Sequence, residues 1–358
     1  MSDKLVVWWY QRRLAFPLWF LTPLSALFTM LAAVRRMLFV LRLKKSWQAP
    51  VPVIVVGNVT VGGTGKTPTV LALIEHLQRL GMRPGIVSRG YGGAGTFPAL
   101  VGATSTPDLC GDEPIMLARL SGVPVAVAPK RIEAAKLLLA SKDIDVIIAD
   151  DGLQHYALGR DIEIGIVDGG RGFGNNWRLP AGPLRESARR LKKVDWVLTN
   201  GPLAAEHSLP KGIEAQEMNL QTIGWRQVGD SSEIEVPDGE TALVIAGIGN
   251  PQRFFAMVRE QGITISETRV YADHYDFKAT DFYHVSNEYP VLMTEKDAIK
   301  VRAFARPHWY YLKVAMALPE TFLQQFTERV QGVAAMKKAS AQAPVSTRSQ
   351  LPNEAPNL

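Results

Sequence analysis

Cysteine is nearly absent. Cys110 is the only one in 358 residues, so no internal disulfide can form, which fits a reducing compartment. The six histidines are scattered, and no C-x-x-C or H-x-x-x-H pair occurs, which argues against a structural zinc. No internal repeat is visible. Neither sign of charge dominates: 40 Lys and Arg face 34 Asp and Glu, for a net charge of +6. An excess of that size suits an anionic surface or substrate and gives no reason to infer a nucleic-acid partner or an obligate protein partner. Hydrophobic residues make up 47% and charged residues 21%, an ordinary globular balance. The length exceeds one ordinary domain and predicts two α/β lobes.

Charge is missing altogether from residues 14–34, "LAFPLWFLTPLSALFTMLAAV". A bilayer-spanning helix needs about 20 mostly apolar residues. Arg12 and Arg13 precede the run; Arg35, Arg36, Arg42, Lys44 and Lys45 follow it. Trp8, Trp9, Tyr10 and Trp47 stand outside its ends, where interfacial aromatic belts lie. The run is too long for a signal peptide and ends in basic residues rather than a cleavage site. Pro17, Pro23, Thr22, Ser25 and Thr29 interrupt it, so the segment either spans or lies in the headgroup plane. The heavier basic flank is C-terminal, which puts the rest of the chain in the cytoplasm. Residues 1–48 are therefore expected to be a membrane anchor with its basic flank.

Beyond it, short β-branched runs alternate with helical stretches. Strands are expected over 51–56, 85–88, 123–128, 145–150, 162–168 and 195–200, and helices over 68–80 and 130–141. This is the pattern of an α/β parallel sheet with helices on both faces, here a core over 49–202. Residues 203–240 are more polar and are expected to be a linker. A smaller α/β lobe follows over 241–334, with strands at 241–247, 267–272, 290–294 and 309–316, and helices from Pro251, near 279–288 and over 319–334. Residues 335–358 are polar and proline-bearing and are expected to be disordered.

Chemistry enters with "GNVTVGGTGKTPTV", residues 57–70. The phosphate-binding signature is G-x-x-x-x-G-K-[ST]. Gly65, Lys66 and Thr67 fit its end, but Thr60 stands where the first glycine belongs. Gly62 and Gly63 sit inside the loop instead, as in the deviant form of the motif. That form normally has a lysine before the glycine pair, and Val61 is here. The loop follows a buried strand and opens a helix, as a phosphate site requires. The backbone amides of Gly62, Gly63, Thr64 and Gly65 would converge on phosphate oxygens, helped by the helix dipole. Lys66 would reach the β- and γ-phosphates, and Thr67 would hold Mg²⁺. The strand "DVIIADDG" ends in Asp150 and Asp151 beside this loop, where a metal-binding carboxylate is needed. ATP and Mg²⁺ are the expected cofactors.

Other chemistry-bearing groups fall in loop-like stretches at strand ends, where function concentrates. "SRGYGG" (88–93), "GDEP" (111–114), "DDGLQH" (150–155), "LPAGPLRE" (179–186), "GIGNPQRFF" (247–255), "DHYDF" (273–277) and "TEKDAIK" (294–300) follow one another behind the loop and the apolar N-terminus. In this order they resemble the tetraacyldisaccharide 4'-kinase family, from the N-terminal anchor to about residue 330. The resemblance implies a P-loop kinase at the cytoplasmic face of the inner membrane. It would transfer the ATP γ-phosphate to the 4'-hydroxyl of tetraacyldisaccharide 1-phosphate, giving lipid IVA in lipid A, and hence lipopolysaccharide, biosynthesis. Its partners would be that disaccharide glycolipid and membrane lipids.

The resemblance also implies residue roles. Asp112 and His274 would form a base pair, with the carboxylate fixing the histidine tautomer and raising its basicity. Glu113, Asp150 and Asp151 would manage Mg²⁺ with Thr67. Arg89, Tyr91, His155, Arg171 and Arg185 would meet the lipid phosphate or the sugar. Apart from the resemblance, Lys296 and Asp297 stand at an expected helix start and are read as its cap rather than as reaching the site, and His284 and His308 are assigned to packing or surface. A membrane-associated switch ATPase with the deviant loop is the rival reading. Val61 in place of the signature lysine speaks against it.

Overall fold

A computed structural model describes residues 3–11, 13–235, 241–273, 275–285 and 289–342. The chain divides into two compact units. The first comprises Met1–Asn219 with Ala317–Leu358, and the second is Leu220–Met316.

The first unit begins with α1 (Asp3–Trp9), a 3₁₀ turn over Phe16–Leu21 and α2 (Thr22–Val40). Pro23 sits in the first turn of α2, where its missing N–H costs nothing. Phe16–Val40 is the one stretch among the described residues long and apolar enough to cross a membrane. Much of its apolar surface faces outward, including Phe16, Trp19, Phe20, Leu24, Leu27, Met30 and Leu31. Yet it is anchored to the unit. The Ser25 hydroxyl donates to the Arg178 carbonyl at 2.8 Å, and the Phe39 ring lies 6.1 Å from that of Tyr156. Before it, the Trp9 indole donates to the Pro180 carbonyl at 2.9 Å.

The strands of this unit are β1 (Val53–Gly57), β2 (Pro84–Ser88), β3 (Ala99–Leu100), β4 (Val125–Val127), β5 (Val146–Asp150), β6 (Ile162–Asp168), β7 (Trp196–Asn200) and the start of β8 (Ala215–Gln227). They lie in the order β3-β4-β2-β5-β1-β6-β7-β8. All these neighbours pair in parallel except β3 with β4. The helices are α3 (Lys66–Arg79), the single turn α4 (Pro107–Cys110), α5 (Asp112–Ser121) and α6 (Arg131–Ser141). The crossover from β1 through α3 to β2 runs one way along the sheet, and that from β4 through α6 to β5 runs the other. Right-handed crossovers then place α3 and α6 on opposite faces. Strands covered on both faces read as unbroken apolar runs, which is why 53–56 is all Val and Ile and fully buried. Ala134, Ala135 and Leu138 of α6 pack with Val53, Val55 and Val87.

In the second unit, β8 ends beside β9 (Glu233–Ile234). There follow β10 (Thr241–Ala246), α7 (Pro251–Glu260), β11 (Thr264–Val270), β12 (Val291–Thr294), α8 (Glu295–Val301) and β13 (Trp309–Ala317). The order β11-β10-β12-β13 is parallel throughout. An aromatic group holds one face, with Phe282 and Trp309 rings 4.4 Å apart. Asp297 sits three residues inside the Thr294 cap and is wholly buried. It accepts from the Thr294 hydroxyl at 2.7 Å and the Gly247 amide at 3.0 Å.

Four expectations change. Residues 203–235 are not a plain linker: β8 carries the chain between units, half-exposed along its length, which is why its sequence alternates weakly. The helix expected near 279–288 is a 3₁₀ turn over Ala279–Phe282, with 286–288 outside the described residues. The last helix, α9 (Glu320–Gln342), belongs to the first unit, where Phe322 and Phe326 meet the Trp196 ring at 5.5 and 6.3 Å. Residues 335–342, expected to be disordered, continue that helix because Lys337 is tied to Asp161 at 2.8 Å and to the Ala49 carbonyl at 2.9 Å. The remainder of the tail and residues 236–240 lie outside the described residues.

Candidate active site

The loop between β1 and α3 follows a central strand. Gly62 and Gly65 take left-handed backbone angles of φ 97° and 92°, which an L side chain resists. A Cβ at Gly62 or Gly63 would meet nothing within 4 Å. The loop thus rims open space, as a cradle for a ligand requires. Thr64 is buried and its hydroxyl has no hydrogen bond among the described residues. Its carbonyl is held from behind by Asn200 Nδ2 at 3.2 Å, at the end of β7. Thr67 lies half-buried in the first turn of α3. Lys66 is tethered to Asn58 Oδ1 at 3.3 Å and stands 3.8 Å from Asp151.

Register explains the carboxylates. Val56 pairs with Asp150, so β5 delivers both acids level with the loop. Asp151 takes φ 48°, an uncommon angle for a non-glycine residue, and turns to Arg185, whose Nη1 donates to it at 2.6 Å. Burial pushes the Asp151 carboxyl up, but Lys66, Arg185 and Arg131 together outweigh it and hold it well below the usual range. Asp150 goes the other way. Burial, with Glu113 and Asp151 nearby, pushes it up to about 7, against Lys66 and Arg131. Two adjacent carboxyls are therefore pushed in opposite directions. One oxygen of each makes no hydrogen bond among the described residues.

Glu113 and Asp112 open α5, where Asp112 Oδ1 accepts from the Glu113 amide at 2.9 Å. The chain before them, 108–111, packs backbone to backbone against 90–95. The Ala94 amide bonds the Asp108 carbonyl at 2.7 Å, and a Cβ on Gly111 would strike the Tyr91 carbonyl at 2.4 Å. Arg89 and Tyr91 on that turn are exposed. The positive field of Arg89, with that of Arg131 and Arg35, reaches His155. Burial first, and then these cations, pull its imidazole down to about 3. His155 is thus neutral at physiological pH in surroundings that favour an anion. Arg171 meets the N-terminal segment beside the loop. It lies over the Tyr10 ring at 5.0 Å, and the Tyr10 hydroxyl donates to the Val61 carbonyl at 3.3 Å. His274 lies outside the described residues.

A family model described as tetraacyldisaccharide-1-P 4'-kinase matches residues 17–331. The chain belongs to that family. Relatives agree with it. The tetraacyldisaccharide 4'-kinase of Shewanella amazonensis is 46% identical over 339 residues, 93% of this chain and 97% of its own. That of Idiomarina loihiensis is 46% identical over 313 residues, 87% of this chain and 93% of its own. Among solved structures, LpxK of Aquifex aeolicus in complex with ATP superposes with a TM-score of 0.76 at 25% identity, covering 89% of this chain and 99% of that one. As a 4'-kinase family member the chain is an ATP-dependent phosphotransferase of lipid A biosynthesis.

Several residues of this 4'-kinase site escape sequence reasoning. Arg131, buried at the start of α6, donates to the Asp150 and Ala128 carbonyls at 3.4 and 3.3 Å, and burial lowers its guanidinium to about 10. Gln154 bridges the Asn58 carbonyl at 3.1 Å and Glu186 at 3.2 Å. Asn58 and Asn200 brace the loop. A polar residue at the end of an otherwise apolar strand was the available signal for Asn58 and Asn200. Arg131 and Gln154 had none.

Proposed function

We propose that the chain transfers the γ-phosphate of ATP to the 4'-hydroxyl of a tetraacyldisaccharide 1-phosphate, giving lipid IVA. The carrying observation is a phosphate loop with Lys66 in place, facing the paired carboxylates of Asp150 and Asp151 at one end of a parallel sheet. Loop amides and Lys66 would hold the triphosphate, and the α3 dipole would favour its charge. The unbonded oxygens of Asp150 and Asp151 suit Mg²⁺, with Thr67 and Glu113 completing the protein's share. Among the described residues no three His, Cys, Asp or Glu side chains form a metal cluster on their own, so nucleotide oxygens would have to fill the shell, as Mg²⁺ usually requires. Bound there, the ion would neutralise charge on the β–γ oxygens.

Asp112 and His274 remain the proposed base pair, on the strength of the family resemblance and the chemistry of a carboxylate–imidazole pair. Arg89, Tyr91 and neutral His155 are proposed acceptor contacts. The cations around His155 support an anionic or phosphorylated neighbour. Arg171 and Arg185 have intramolecular partners and fit a positioning role better.

The apolar N-terminus supports an acceptor drawn from a membrane. Contacts at Ser25 and Phe39 run along α2, which favours a helix lying in the interface of the inner membrane's cytoplasmic leaflet over one that leaves the protein to span. The test is a transfer assay with γ-labelled ATP, Mg²⁺ and the acceptor lipid in detergent. Label should enter lipid only when acceptor is present, and Lys66→Ala should abolish this without releasing the protein from membranes. Label found only as free phosphate would replace the kinase with a switch ATPase.

A further inference from the structure

A cavity of about 330 Å³ opens between α2 and the segment 178–193, a volume at the small end of ligand sites. Ala32, Ala33, Met37 and Val40 of α2 make an apolar wall. The opposite wall carries Arg178, Arg190, Lys193 and Glu186, with Arg36 at its edge. Three arginines, Arg36, Arg178 and Arg190, thus border the cavity with one carboxylate.

That carboxylate does not balance them. Glu186 is engaged by the Tyr156 hydroxyl and by Gln154, and the Tyr156 phenol is pushed up to about 12, chiefly by burial and then by Glu186. Arg190 is 3% exposed. Its Nη2 reaches both oxygens of Glu163, at 2.5 and 2.6 Å. Glu163 is already shared with Arg160 at 2.8 Å, so one negative charge serves two guanidiniums. Arg190 Nη1 and Arg36 Nε are buried and make no hydrogen bond among the described residues. Buried donors without partners are costly, and two of them border one basic cavity.

The geometry points to a binding site for the phosphate of an anionic membrane phospholipid, with its acyl chains laid along α2. A free anion would need no apolar wall. Here that wall belongs to a helix whose Met37 and Val40 stay half-exposed beside the cavity and whose Leu27, Leu31 and Val34 continue outward. Guanidinium forks suit phosphate oxygens, and basic groups at a lipid surface strengthen binding to anionic headgroups. The inference rests on the reading of α2 as seated in a membrane interface.

The full chain in neutral detergent is mixed with phosphatidylglycerol or phosphatidylcholine, and retained lipid is counted by native mass spectrometry. One phosphatidylglycerol should be retained and phosphatidylcholine should not. Arg36→Gln with Arg178→Gln, which leaves the Ser25–Arg178 backbone bond in place, should weaken retention roughly 30-fold with the melting temperature held. Equal retention of both lipids, or by the double variant, overturns the site. Displacement by millimolar inorganic phosphate overturns the lipid assignment in favour of a free-anion site. One-for-one displacement by the acceptor glycolipid gives the cavity to the acceptor and overturns it too. Co-sedimentation with phosphatidylcholine vesicles reads membrane seating separately. Its failure with phosphatidylglycerol retention intact would remove the seating and leave the cavity.

Discussion

Arg185 offers the sharpest test of how the site is wired. The resemblance makes it a lipid contact, whereas the structure sets its guanidinium on Asp151 at 2.6 Å, with Lys66 at 3.8 Å as the second cation on that carboxylate. Arg185→Met keeps bulk and removes the charge. A hydrogen bond to a charged group contributes about 1.5–3 kcal/mol, or roughly 10- to 140-fold. The two side chains are 28% and 26% exposed, so solvent screening puts the effect near the lower end, roughly tenfold. If Arg185 serves Asp151, that loss falls on KM for Mg²⁺·ATP. It also moves the acid limb of kcat/KM. Asp151 is held below its ordinary value, so its ionised form survives acidification; without Arg185 the carboxyl protonates at a higher pH and the limb shifts upward. Steady-state kinetics with nucleotide and acceptor varied independently, from pH 5 to 8, read both. A rise confined to the acceptor KM, with nucleotide KM and acid limb unchanged, would refute the Asp151 role and restore the lipid contact.

Asp112→Asn and His274→Ala should each lose orders of magnitude in turnover while ATP affinity, measured by equilibrium titration, stays within a fewfold; wild-type turnover in either would sink the base pair. Glu163→Gln should destabilise the first unit by about 3–5 kcal/mol in urea denaturation, because two buried guanidiniums lose their shared charge; an unchanged midpoint would show that the network is dispensable. His155 is neutral in the folded chain down to about pH 3, whereas an unfolded histidine protonates near 6.5. Its contribution to stability is therefore present above that pH and fades below it. His155→Gln should remove that portion of the acid dependence, and thermal melts superimposing on wild type between pH 7 and 4 would contradict the burial argument.

The sheet of the first unit was legible because its strands are buried on both faces and so declare themselves as Val and Ile runs. The loop and the acids beside it were legible because glycines and charged residues stand out at the ends of apolar strands. Strand β8 was not, since a half-solvated strand looks like polar coil. Nor was the placement of α9, because Phe322 and Phe326 say that the helix is buried without saying against what. Arg131 and Gln154 read as ordinary polar residues; only the fold brings them under Asp150 and beside Asn58. The split between Asp150 and Asp151 depends on burial and Glu113 at the first and on Arg185 at the second, and spacing in the chain does not carry that.

The anchoring of the N-terminus has a consequence for biosynthesis. Trp9 finds its partner at Pro180 and Ser25 at Arg178, 171 and 153 residues further along. At about 5–20 residues per second, translation leaves an interval of roughly 8–35 s between them. If the apolar segment is seated in a membrane interface as proposed, a bilayer is its available shelter during that interval. On the proposed membrane seating, the kinase core would then be completed onto a segment already at the lipid surface, and the membrane would act as a holding place in the folding of this chain before it supplied a substrate.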